Sequence, residues 1–114
     1  MNTFLSACRG IVSLCKIEKN FRIHIFCSSL VIILGLIFSV SFVDWCILFV
    51  VIGNVLILEG INAALEALAD VLYPRFDPHV GRIKDMMAGC VLISACMALV
   101  VGCLIFIPKI IVAF

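Results

Sequence analysis

The sequence predicts an all-α membrane protein, with an amphipathic N-terminal surface helix followed by three transmembrane helices. Of the 114 residues, 66% are hydrophobic and only 13% are charged, whereas a soluble domain is nearer half apolar and a quarter charged. Residues 25–43 and 86–107 contain no charge, and as helices they are long enough to cross a hydrocarbon core of about 30 Å. Seven of the eight Lys and Arg residues lie in two segments, one before each of these stretches.

The same composition excludes several other classes of protein. Disordered chains are poor in hydrophobic residues. Nucleic-acid binding needs a concentrated basic surface, which a net charge of +1 does not indicate. The seven cysteines form no CxxC pair and lie mostly in apolar runs, so they indicate neither a disulfide framework nor a zinc site. We therefore expect one membrane domain over residues 1–114, with no nucleic-acid partner.

The first two elements are a surface helix over about residues 3–16 and a first span over about residues 22–43. In the first element, apolar side chains recur at helical spacing with polar residues between them, which is typical of a helix lying in the membrane plane. The apolar side chains in question are Phe4, Leu5, Cys8, Ile11 and Val12.

The second span is predicted over about residues 45–72. Its apolar part, residues 45–58, is too short to cross the membrane alone. The Ala, Leu and Glu of residues 59–70 favour continued helix, until the chain reaches Pro74. Only Asp44 separates this span from the first, so we expect a tight turn there.

The third span is predicted over about residues 84–107. The segment before it, residues 73–84, contains two prolines and a glycine, so we expect an irregular loop there. We expect the last helix to end at Pro108.

The distribution of cations predicts the orientation of the chain. Cytoplasmic loops carry an excess of Lys and Arg, so we expect the N-terminus and the second loop on the cytoplasmic side of the membrane. The seven cations on that side are Arg9, Lys16, Lys19, Arg22, Arg75, Arg82 and Lys84.

Four polar residues of the second span fall on one face of its helix. At 100° per residue, Glu59, Asn62, Glu66 and Asp70 share an arc of about 80°. Carboxylates facing lipid are costly, so this face should turn toward protein or a watery cleft. Because no Lys or Arg lies inside a span, the acids favour an external cation, a proton, or a hydroxyl that loses its proton. Oxygen ligands alone favour magnesium over zinc.

Three segments resemble a known family, the small prokaryotic integral-membrane lipid kinases that include diacylglycerol kinase and undecaprenol kinase. Residues 59–70 (EGINAALEALAD) match its E-x-x-N-[ST]-A-[IL]-E-x-x-x-D signature, and residues 81–93 (GRIKDMMAGCVLI) match its K-D-x-x-[AS]-[AG]-x-V-L-[IL] segment. Residues 17–24 (IEKNFRIH) are similar to the ExNFRIH motif of the undecaprenol-kinase branch, with Lys19 as the one change.

The resemblance implies a homotrimer with active sites shared between subunits. It also implies transfer of the γ-phosphoryl group of ATP, with Mg²⁺, to the hydroxyl of diacylglycerol or undecaprenol. By matching position it implies Glu59 as the general base, Asn62 as a catalytic helper, Glu18 and Glu66 as Mg²⁺ and ATP ligands, Asp77, Lys84 and Asp85 as ATP contacts, and Asp70 as an accessory residue.

Two departures from the family pattern and one alternative function are notable. Family members usually carry Ser or Thr where this chain has Ala63, and His where it has Asp77, although His79 lies nearby. Neither change removes a core carboxylate, so we expect activity. The alternative is a small proton-coupled transporter, which has a similar length and an intramembrane Glu. That class has four spans, and the cations between Arg9 and Arg22 argue against a crossing by the N-terminal segment.

Overall fold

A computed structural model describes residues 2–114, and every regular element in that range is an α-helix. The predicted all-α fold is confirmed, and three of the helices are long and apolar enough to cross a membrane. The helices are α1 (Thr3–Ile17), α2 (Lys19–Ile37), α3 (Phe42–Leu72) and α4 (Pro78–Ala113), of which α2, α3 and α4 are the three membrane-length helices.

An elbow at Glu18 joins α1 to α2. Glu18 has extended backbone angles and is both the C-cap of α1 and the N-cap of α2. The Nη1 of Arg22 donates to the carbonyl oxygens of Cys15 and Lys16, at 3.1 and 2.8 Å. These carbonyls belong to the last turn of α1, whose oxygens have no partner within the helix. Arg22 therefore fixes the elbow, while the location of α1 on the membrane surface stays a prediction.

The turn between α2 and α3 lies earlier than expected, so the expected turn at Asp44 is wrong. The chain leaves α2 through Ser39, whose φ of 49° is left-handed, and α3 begins at Phe42. The Ser41 hydroxyl accepts a hydrogen bond from the Asp44 backbone N–H at 3.1 Å. Ser is a favourable N-cap, and an acid in the first turn suits the positive end of the helix dipole. Asp44 therefore stabilises the start of α3 from within the helix.

Helix α4 is longer than expected at both ends. It begins at Pro78, because the Asp77 carboxylate accepts hydrogen bonds from the backbone N–H groups of His79 and Val80 at 2.8 and 3.4 Å. Proline suits the first helical position, where its missing N–H costs nothing. The expectation of irregular chain as far as residue 84 is therefore wrong. Pro108 does not end the helix, which continues to Ala113; apolar helices of this kind tolerate an internal proline.

The helices pack around a small apolar cluster near the turn between α2 and α3. Val40, Leu48 and Phe106 are buried there, and the rings of Phe38 and Phe106 lie 6.3 Å apart. Helix α4 packs mainly along α3. Most other large apolar side chains of the described residues are exposed. An exposed apolar surface of this extent suits a membrane protein.

Close packing of α2 on α3 depends on Gly35, where a Cβ atom would lie 2.6 Å from Cη2 of Trp45. We predict that Gly35→Ala lowers the free energy of unfolding by about 1–3 kcal/mol, because the rigid indole has to shift. Reversible unfolding in detergent micelles measures this. The matched control is Gly89→Ala in α4, where a Cβ atom meets nothing within 4 Å and the helix gains up to about 1 kcal/mol. Equal stability of the two variants would contradict this account of the packing.

Candidate functional site

Helix α3 buries two of the four polar residues of the predicted face, Glu59 and Asn62, whereas Glu66 is half-buried and Asp70 is exposed. Glu59 is 3% exposed, and Asn62 and Ala63 are 7% and 4% exposed. Small residues allow this burial: a Cβ atom on Gly60 would lie 3.3 Å from Cδ1 of Leu14 in α1. The face of α3 that carries Glu59 and Asn62 therefore turns toward protein.

The buried Glu59 carboxylate lies beside His24 of α2. The distance from His24 Nε2 to Glu59 Oε2 is 3.7 Å, and the two side chains are 25% and 4% exposed. No individual role in the site was predicted for His24. The available signal was its position at the end of the NFRIH motif, but whether the ring meets Glu59 depends on the rotation of α2 against α3.

Three polar residues face the cleft between α3 and α4, whose other walls are mainly apolar. Asn62 and Glu66 line it from α3, and Lys84 lines it from α4, around a volume of about 160 Å³. Lys84 Nζ donates to Asp70 Oδ1 at 2.6 Å. The Asn62 Oδ1 atom is buried and has no hydrogen-bond partner among the described residues. Because buried acceptors are nearly always paired, this oxygen is a strong candidate for a ligand contact.

Glu18 lines a different groove from Glu66. This groove lies between α1 and α3 and has a volume of about 500 Å³, with Gly60 and Ala63 on its α3 wall. Glu18 is half-buried, and among residues 2–114 its side chain makes no capping hydrogen bond to α2. Its carboxylate therefore stays free for a ligand, on another side of α3 from the α3–α4 cleft.

Asp77 and Asp85 lie apart from the residues that line the α3–α4 cleft. Asp77 caps α4 with one carboxylate oxygen, and Asp85 is exposed in the second turn of that helix. Within the described range of 2–114, no three His, Cys, Asp or Glu side chains come together as a metal-binding cluster. One chain thus offers separate oxygen ligands and no ready-made metal cage.

Comparison with known proteins gives this geometry a family. Residues 5–106 match the model of a protein family, prokaryotic diacylglycerol kinase. The chain belongs to the prokaryotic diacylglycerol kinase family. Kinases of this family are alcohol phosphotransferases that act on lipids, so the protein is a membrane lipid kinase.

Two curated relatives of this lipid kinase are similar over most of the chain. An undecaprenol kinase of Bacillus subtilis is 35% identical over 107 residues, covering 94% of this chain and 87% of the relative. A diacylglycerol kinase of Synechocystis sp. is 31% identical over 107 residues, covering 93% of this chain and 61% of the relative. The family resemblance drawn from residues 17–24, 59–70 and 81–93 is therefore confirmed.

The unpaired Asn62 oxygen yields a prediction about the stability of this lipid kinase. Asn62→Leu replaces a buried, unpartnered polar group by an apolar one of similar size, so the free energy of unfolding should rise by about 1–3 kcal/mol. The matched control is Ser94→Ala in α4. Ser94 is equally buried, but its hydroxyl donates to the Val91 carbonyl oxygen at 2.8 Å, so this change should be neutral or destabilising by about 1 kcal/mol. Thermal unfolding of both variants in micelles measures the difference, and a less stable Asn62→Leu protein would contradict the prediction.

Proposed function

We propose that this lipid kinase transfers the γ-phosphoryl group of ATP directly to the hydroxyl of a membrane lipid alcohol, with Glu59 as the general base. The observation that carries the proposal is the burial of the Glu59 carboxylate at 3% exposure in a member of this family. A carboxylate buried in an apolar bundle is costly, so its retention calls for a chemical role. Removal of a proton from an incoming hydroxyl is such a role.

The positions of Glu59 and Glu66 along α3 support different roles for these two acids. Measured from Phe42, Glu59 lies about 26 Å along the helix axis and Glu66 about 36 Å. A hydrocarbon core is about 30 Å thick. Glu59 then meets a lipid hydroxyl just inside the membrane, while Glu66 meets water-soluble phosphates just outside it.

Lys84, at the α3–α4 cleft, offers a contact for the phosphates of ATP. Lys84 supplies a positive charge there, and its ion pair with Asp70 holds the ammonium group in place. Charge-assisted contacts of this kind bind phosphate oxygens well. Of the other predicted ATP contacts, Asp85 lies on the same helix as Lys84, and Asp77 acts through the helix start that it caps.

Magnesium fits the residues that are present. Mg²⁺ in phosphoryl-transfer sites is bound by one or two carboxylates and by the substrate phosphates, so it needs no all-protein cage. Glu66 and the unpartnered Asn62 oxygen lie at one cleft and are both oxygen ligands. When bound, Mg²⁺ neutralises the charge of the transferring phosphates. Glu66 and Glu18 would hold it, and Asn62 positions the reacting groups.

A homotrimer with shared active sites is part of the proposal. The separation of Glu18 from Glu66, which line different grooves of one chain, supports a site completed by a neighbouring subunit. The seven cations that precede the uncharged stretches 25–43 and 86–107 support a cytoplasmic N-terminus and active site, and the family supports a bacterial inner membrane as the location.

The lipid acceptor is undecaprenol or diacylglycerol, with undecaprenol as the first candidate. The NFRIH motif and the greater similarity to the undecaprenol kinase support that order. Reconstituted protein given γ-labelled ATP should label the preferred alcohol faster when each alcohol is supplied in separate vesicles. Proton-coupled flux without labelled lipid would instead favour the transporter alternative.

Glu59→Gln tests the base. The amide keeps the size of the side chain but cannot accept the hydroxyl proton, so kcat should fall by about 10²–10⁴-fold. The measurement is label transfer to lipid in vesicles, with circular dichroism and thermal unfolding to verify the fold. Wild-type turnover by a folded Glu59→Gln protein would refute the assignment.

Glu66→Gln tests the metal role separately. The concentration of Mg²⁺ that gives half-maximal rate should rise by at least about tenfold, since even outer-shell partners of a metal are worth that much. Asp44→Asn at the opposite end of α3 is the control and should leave the magnesium requirement unchanged. An unchanged requirement in Glu66→Gln would remove Glu66 from the metal site.

A further inference from the structure

A buried base has to lose its proton before it can act again. The Glu59 side chain is 4% exposed. The other buried residues near it on α3, Val55, Asn62 and Ala63, are apolar or uncharged. Water has little access to the protonated carboxyl at that depth. A neighbouring group that both reaches Glu59 and is open to water would provide a way out for the proton.

His24 is such a group. Among residues 2–114, two pairs of potentially opposite charge lie within 4 Å, His24 with Glu59 and Lys84 with Asp70. Lys84 and Asp70 belong to the α3–α4 cleft. The His24 side chain is 25% exposed and lines an apolar groove of about 520 Å³ between α2, α3 and α4, whose other titratable lining residues are Cys27 and Cys103. His24 thus lies between the buried carboxylate and the charged start of α2, since Lys19 is about 8 Å away along the helix axis.

We propose that His24 accepts the proton that Glu59 takes from the lipid hydroxyl and passes it to water, so that each turnover ends with an ionised Glu59. This inference rests on the proposed lipid kinase reaction and adds a positioning residue to it. Neither Glu59 nor His24 becomes covalently modified. His24 acts only through Glu59.

The proposed sequence of bond changes is balanced. The hydroxyl oxygen bonds to the γ-phosphorus as its O–H bond breaks, the proton moves to Oε2 of Glu59, and the bond from the γ-phosphorus to the β–γ bridging oxygen breaks to release ADP. The Glu59 carboxyl then gives the proton to Nε2 of a neutral His24 ring that carries its hydrogen on Nδ1. The imidazolium loses the Nδ1 proton to water, and proton exchange with water returns the ring to the Nδ1–H tautomer before the next turnover. Phospholipid, ADP and one solvent proton are the products.

The geometry allows this transfer after a small movement. The Nε2–Oε2 distance of 3.7 Å is about 0.5 Å beyond hydrogen-bond range, and such contacts often tighten only when substrate is bound. Imidazole has two nitrogens, on opposite edges of the ring, so one can take up a proton while the other releases one. A histidine therefore suits a relay better than a fixed cation would.

Chemical rescue tests the relay. We expect His24→Ala, assayed in vesicles at saturating ATP and lipid, to lose about 10²-fold in kcat, with little change in the KM values for ATP and lipid. Imidazole added to the buffer should restore much of the lost kcat, because the vacated position is partly exposed and lies near the charged start of α2. Pyrrole, which has the same ring size but no basic nitrogen, should not restore it.

Two further variants separate the relay from other roles. Ser28→Ala is the matched control, since its hydroxyl donates to the His24 carbonyl oxygen at 2.7 Å and it lines the same groove; it should retain wild-type kcat. His24→Lys keeps a positive charge beside Glu59 and should stay as slow as His24→Ala. Recovery in His24→Lys would instead make His24 a counter-ion and would overturn the relay.

The outcomes distinguish the relay from the proposed function. If the wild-type protein labels lipid but His24→Ala is equally fast, or is slow and unaffected by imidazole, the relay is wrong and the kinase proposal stands. If the wild-type protein labels no lipid alcohol, the proposed function fails first and the relay fails with it.

Discussion

The carboxylate of Glu59 is buried in a largely apolar helix bundle. Residues of the neighbouring helices accommodate it. Burial of an ionisable group in a membrane protein is expensive unless a partner or a polar cavity receives it. Here α2 places His24 at 3.7 Å from the carboxylate. Gly60 leaves room for Leu14 of α1 to approach α3 next to this position. Glu59 is thus buried by its neighbours, and the partly exposed His24 connects it to the outside.

Helix length connects this buried acid to the water-soluble part of the reaction. With 31 and 36 residues, α3 and α4 are longer than a bilayer core requires, and the long axis of the molecule is 54 Å. The added turns carry Glu66 and Asp70 on α3 and Lys84 on α4 to one cleft. A kinase that transfers phosphate from a soluble donor to a lipid hydroxyl needs the membrane interior and water within one or two helical turns of each other. Continuous helices hold residues at that separation rigidly.

The helices and the buried face could be predicted from the sequence because both follow from local pattern. Long uncharged runs predict spans, and the spacing of Glu59 and Asn62 predicts a shared face. The helix ends were harder to predict from the sequence. Ser41 and Asp77 set them by accepting hydrogen bonds from backbone N–H groups, and composition does not reveal such bonds. A Ser followed three residues later by an acid is a capping signal that the sequence contains at Ser41 and Asp44.

The contact between His24 and Glu59 could not be predicted, because it depends on tertiary packing. The two residues lie on different helices, and a rotation of α2 by one residue, about 100°, would turn the imidazole away from α3. The same reason applies to Glu18 and Glu66. Their roles as ligands were inferred from motif position, and only the packed helices reveal that they line separate grooves.

The central claim is that Glu59 acts as a base in a single direct transfer, and the stereochemical course at phosphorus tests it most directly. Reconstituted protein is given ATP made chiral at the γ-phosphorus with oxygen isotopes, and the configuration of the phospholipid product is determined. A single in-line transfer inverts the configuration, which is the result this account predicts. Retention would require two transfers through a phosphorylated side chain, with a carboxylate acting as nucleophile. That result would contradict the account.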